Sequence, residues 1–151
     1  MQFASSAADI PAREAFLTWV DLARQGQAGA ITIRLVDEPE SAGLNEQFRH
    51  RQGPTNVLSF AAADGQFPLP AEILPELGDL VICAPLVAAE AAAQGKSAVA
   101  HWAHLTLHGV LHLRGFDHQT RSQQAQMEAV EIELLRQLGI ANPYLIDSTE
   151  L

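Results

Sequence analysis

The run HGVLHLRGFDH, from His108 to His118, holds the residues of this chain best suited to metal chemistry. His108 and His112 are one helical turn apart, so on a helix both imidazoles project from one face and can grip one ion. Three residues later Gly115 can adopt the left-handed backbone conformation, which lets the chain leave the helix sharply and return His118 to that face. Three nitrogen ligands with a fourth position open make the arrangement of a catalytic zinc. Imidazole also serves other first-row divalent metals. Two histidines at i, i+4 arise freely on helices; the third, at the H-x3-H-x5-H spacing, is what turns the pair into a metal motif.

The metzincin peptidases share this spacing, but in them a glutamate follows the first histidine and acts as general base. Here that position is Gly109. The site can polarise a water or a phosphoryl oxygen, yet it lacks the peptidase base, and peptide hydrolysis is disfavoured. No other residue stands out as a general base.

Further polar residues surround this motif in the sequence. Arg49, ahead of a strand beginning near Asn56, is suited to hold a scissile phosphate and offset transition-state charge; the plain alternative is a surface salt bridge with Glu46. Asp117, next to His118, is suited either to orient a ligand imidazole or to cap the final helix. Ser59 alternates with Leu58 and Phe60 in a strand, which would turn its hydroxyl toward substrate. Asp79 follows Gly78 and reads as a turn residue. His101 and His104 fall on the same helical stripe as His108 and His112. A fourth ligand would close the open position, so they are expected as packed or proton-bridging structural histidines. Trp102 is expected in the core and Cys83 as a buried filler.

Around these residues the sequence alternates helical and strand patterns. Apolar residues at helical spacing mark a helix from Pro11 to Arg24, ended by Gly26 and Gly29. The β-branched run Ile31–Val36 reads as a strand, Pro39–Arg49 as a short helix, and Asn56–Phe60 as a second strand. Ala61–Pro75, with Gly65, Pro68 and Pro70, reads as a loop. Leu80–Cys83 is a short strand and Pro85–Gln94 a helix closed by Gly95. Ser97 caps a long helix to about Leu113, and a last helix spans Ser122–Leu138 with Met127, Val130, Leu134 and Leu138 inward. Few short strands and a helical C-terminal half indicate an α+β domain: a small mixed sheet backed by helices, with the metal-binding helix in the C-terminal half.

With 151 residues, 48% of them hydrophobic, the chain suits one domain over residues 1–151. Its single cysteine excludes an internal disulfide and a cysteine-rich zinc site. The N-terminus lacks signal-peptide features and no apolar run is long enough to cross a bilayer, so a cytoplasmic protein without membrane partners is expected. A formal charge of −9 argues against a general nucleic-acid binder, and DNA is not expected as a partner. Four of the nine cations, however, Arg49, Arg51, Arg114 and Arg121, belong to the segments bearing the chemistry. A small basic site on an acidic body is compatible with this distribution.

Several motifs together resemble the YbeY endoribonucleases, bacterial ribosomal-RNA maturation factors. HGVLHLRGFDH matches that family's signature, LNEQFRHRQGPTNVLSF (Leu44–Phe60) resembles its second and LGDLVI (Leu77–Ile82) its third, in the expected order. HWAH (His101–His104) and Met127-Glu128 are also similar, and the likeness runs from about Ile31 to Tyr144. The resemblance implies a small sheet backed by helices and one zinc on His108, His112 and His118. It implies a functional arginine at Arg49 and metal-dependent cleavage of single-stranded RNA, in small-subunit rRNA maturation and ribosome quality control. The partners it implies are single-stranded rRNA and the small ribosomal subunit or its proteins. Phe116 departs from the family's usual tyrosine, which removes a hydroxyl and keeps the ring. Two other functions compete with this one. The first is a ribosome-assembly factor with a structural zinc, consistent with the acidic charge; the second, less favoured because of Gly109, is a zinc peptidase.

Overall fold

The structure is a computed structural model, described here for residues 1–62 and 76–144. In chain order its elements are β1 (Gln2–Phe3), α1 (Arg13–Arg24), β2 (Ala30–Val36), α2 (Glu38–Arg49) and β3 (Val57–Ala61). There follow β4 (Glu76–Cys83), α3 (Ala84–Gln94), α4 (Ala98–Leu113) and α5 (Arg121–Gln137). The four strands form one mixed sheet in the order β1-β2-β4-β3. β1, β2 and β4 run parallel, while β3 is antiparallel to β4. This is the α+β class expected from the sequence.

Side-chain alternation divides the interior into two apolar layers. Ile33, Leu35, Leu80 and Ile82 point to the larger, where Phe16, Trp19, Trp102 and Leu107 of the helices meet them. Trp102 is buried edge-to-face against Phe16, as its position off the histidine stripe implied. Val36, Leu58, Phe60, Val81 and the buried Cys83 form the smaller layer, under Leu44 and Phe48 of α2. Ser59, between Leu58 and Phe60, therefore faces α4.

The caps explain the helix limits. The Ser97 side chain accepts a hydrogen bond from the Ala100 amide and starts α4, as expected. At α5 the cap is Thr120, in a reciprocal capping box with Gln123. Capping of this helix by Asp117 is thus corrected: the chain needs the residues between Asp117 and Thr120 to leave α4 before α5 begins.

Two strands differ from the sequence expectation. β1 was not anticipated, because two exposed residues carry no periodicity; it exists by pairing with Arg34 and Leu35. β4 begins at Glu76, so Gly78 and Asp79 lie within the sheet and not in a turn. Gly78 has φ +149°, and a Cβ there would sit 2.3 Å from the Phe60 carbonyl oxygen and 2.8 Å from Leu113 Cδ2. Glycine serves here to let β3 and the end of α4 approach the strand. Of the expected loop Ala61–Pro75, Ala61 ends β3 and residues 63–75 lie outside the described residues. Among the described residues, no helix is long and apolar enough to cross a membrane.

Candidate active site

α4 is the axis of the site. Gly109 makes its close seat on the sheet possible: a Cβ at this position would lie 2.7 Å from Leu80 Cδ2 and 3.4 Å from Ser59 Oγ. Position 109 therefore faces β3 and β4, whereas His108 and His112 line a cleft of about 790 Å³ beside them. A glutamate at 109 would run into the core, which adds a steric reason to the chemical one against peptidase machinery.

α4 ends where the sequence expects. Gly115 takes φ +98°, and the Phe116 amide reaches back to the Leu111 carbonyl oxygen at 3.0 Å. The bend returns His118 to the cleft, where its ring centroid is 4.9 Å from that of His112 and 5.8 Å from that of His108. Each of the three rings offers a nitrogen, and these nitrogens all lie within 4.8 Å of one another. The Nε2 atoms of His108 and His112 are 3.1 Å apart. Two nitrogens each bound at 2.0–2.1 Å to a tetrahedral zinc stand roughly 3.3 Å apart, so the donor set fits such an ion with little adjustment.

Protonation also suits a metal. Burial is the main cause that lowers the His112 pKa to about 4, helped by the neighbouring His108 and His118. Its imidazole is thus neutral, the form that ligates. His118 is the exposed member of the three, and His108 and His112 are half-buried.

Arg49 lines the same cleft from the end of α2. Its Nη2 donates to the Ser59 carbonyl oxygen at 2.7 Å and its Nη1 to that of Phe48 at 3.3 Å, with the guanidinium 4.8 Å from the centre of the Phe60 ring. Ser59 joins the two halves of the site: its carbonyl holds Arg49, and its hydroxyl donates to the Gly109 carbonyl oxygen of α4 at 3.4 Å. Asp117 accepts from the His118 backbone amide at 2.7 Å, so it braces the main chain of that histidine. Arg114 is engaged elsewhere, donating to the Ala23 carbonyl oxygen and to Gln25 and Gln27 beyond α1.

His101 and His104 are held by carboxylates. His101 Nε2 is 2.9 Å from Glu90, which also accepts from Asn56, so α3, α4 and the start of β3 are tied together. His104 Nε2 is 3.0 Å from Glu131, and the same carboxylate oxygen is 2.9 Å from His108 Nδ1. The Tyr144 hydroxyl donates to both Glu131 oxygens at 2.9 Å. Burial pushes the Glu131 carboxyl up; hydrogen bonds from His104 and His108 outweigh it and hold the pKa at about 2. Sequence reasoning missed Glu131. The signal was present: it stands four residues after Met127, a carboxylate inside the apolar stripe of α5, and it is fully buried.

The family model described as Endoribonuclease YbeY matches residues 6–139. The chain is 49% identical over 149 residues to a Nitrosococcus oceani protein named Endoribonuclease YbeY, covering 95% of this chain and 94% of that one. Proteins of the same name from Halorhodospira halophila (48% identical, 91% and 90% covered) and Coxiella burnetii (46%, 95% and 95%) are similar as well. The solution structure of a Thermotoga maritima protein shares the fold at a TM-score of 0.55 and 19% identity, over 95% of this chain and 98% of that one.

Proposed function

The chain belongs to the YbeY endoribonuclease family, and from that premise we propose that it is a zinc-dependent endoribonuclease acting on single-stranded RNA. Its place would be in the cytoplasm, in maturation of small-subunit rRNA and in ribosome quality control. The observation that supports a catalytic reading most is the convergence of His108, His112 and His118 on the open cleft that Arg49 also lines.

Those three histidines would hold the metal. When bound, a divalent ion supplies Lewis acidity, lowering the cost of charge on a phosphoryl oxygen and of deprotonating water. The rest of the chemistry belongs to the chain. Arg49 is fixed through the Ser59 carbonyl and against Phe60, so its guanidinium is held in place at the cleft. A fixed guanidinium grips a phosphate and offsets the charge that builds up as the phosphodiester is attacked. Gly115 and the Asp117 brace keep His118 at the rim, which leaves the approach to the site open to a flexible strand.

The test is cleavage of a single-stranded RNA and of its duplex by zinc-loaded wild-type and R49A protein, with metal content measured on both. The expected result is cleavage of the single strand only, abolished by chelator, and a loss of about 10²–10³-fold in kcat for R49A with zinc retained. Equal activity of R49A with zinc bound would remove the arginine's role. Cleavage of an unstructured protein with no action on RNA would replace the proposal by the peptidase reading. A 2′,3′-cyclic phosphate among the products would identify the ribose hydroxyl as nucleophile in place of water.

A further inference from the structure

The cluster formed by His104, Glu131 and Tyr144 has no part in the chemistry described above. Its centre is a fully buried carboxylate on α5, taking hydrogen bonds from two helix histidines and a tyrosine. A buried carboxylate is costly unless it is fully bonded, and these partners satisfy both oxygens. Three residues converging on one carboxylate far exceeds what packing α5 on α4 requires.

The geometry shows what the cluster can do. His108 has two ring nitrogens; Nδ1 lies 2.9 Å from Glu131 Oε1, while Nε2 lies 3.1 Å from His112 Nε2. A carboxylate cannot donate, so the proton on this contact must sit on His108 Nδ1. That selects the tautomer whose free lone pair is on Nε2, directed toward His112. Tyr144, beyond the end of α5, holds the carboxylate from its other side and also lies 3.0 Å from His104 Nε2.

We infer that Glu131 is a positioning residue, held in place by His104 and Tyr144, which sets the tautomer and orientation of His108 for metal binding. The chain segment after α5 is thereby coupled to the metal centre through one hydroxyl. This inference rests on the reading of His108 as a ligand. Partners of this kind are worth about 10–100-fold in metal affinity where they have been removed from metal sites.

The experiment measures zinc affinity by chelator competition for wild type, E131Q and Y144F, beside the melting temperature of each metal-free protein and the His108 tautomer by NMR. The expected result is zinc affinity lower by about 10–100-fold in E131Q and by a smaller factor in Y144F. Metal-free wild type should show His108 protonated on Nδ1, and E131Q a mixture of tautomers. Unchanged zinc affinity in E131Q, with only its melting temperature lowered, would make Glu131 a purely structural residue and overturn the inference. If E131Q does not fold, Y144F decides: wild-type affinity in that variant overturns it. Failure of wild type itself to bind zinc would overturn the underlying metal reading as well, and is distinguishable because no variant is needed to see it.

Discussion

Asp79 lies half-buried within β4, between β2 and β3, where a carboxylate is unusual, and Gly78 before it disguised it as a turn residue. Burial raises its pKa, and the hydrogen bond from Thr32 opposes that rise only in part. The sign of the consequence follows from linkage. Its folded pKa lies above the unfolded value, so the folded chain binds more protons and stability falls as pH rises through the folded pKa. The metal-free D79N variant keeps an oxygen for Thr32 and removes the half-buried charge. It is expected to melt higher than wild type at pH 7, with the advantage disappearing at pH values below the ordinary carboxylate range; a D79N that melts lower at pH 7 would contradict this account. At this scale the convergence of His108, His112 and His118 was legible because their spacing is a local property. Glu131 was not, because a stripe of apolar residues was read for its hydrophobicity and the one charge within it was passed over.

Helices were read almost to their ends because caps and glycines are written locally: Ser97 starts α4 and Gly95 closes α3. Strand limits were harder. β4 extends four residues before Leu80, because pairing with β2 and β3 continues through Gly78 and Asp79 whatever their local propensity. β1 exists only through its partner. The same dependence on neighbours governs Gly109, whose role as a contact surface for Leu80 and Ser59 is invisible without the sheet. G109A separates the two scales. Helix propensity favours alanine by about 1 kcal/mol, whereas overpacking a fully buried Leu80 costs about 1–3 kcal/mol. The expected balance is a loss of up to about 2 kcal/mol and a melting temperature lower by several degrees. An unchanged or raised melting temperature would mean that α4 does not sit as close to β4 as described.

For the whole molecule the formal charge of −9 and the family's activity on RNA are reconciled by placement. Among the described residues, the cations lining the cleft are Arg49, Arg51 and Arg114, and Arg114 is largely committed to the chain after α1. Two to three phosphate contacts on a single strand give a slope of log affinity against log salt of about −1.4 to −2. A slope of that size is the expected result for binding of a short single-stranded RNA to metal-loaded protein. A slope several times steeper would point to a basic surface outside the cleft and move the substrate path. Under the proposed function the acidic body limits binding to the site itself, and the chemistry comes from the centre held by α4 and its return at Gly115.

Zinc K-edge absorption spectroscopy of the loaded protein tests that centre most directly. Three imidazole nitrogens at about 2.0–2.1 Å and one further light-atom neighbour are expected, with one imidazole lost in H118A. A shell of four imidazoles, or one that H118A leaves intact, would contradict an open site built by His108, His112 and His118.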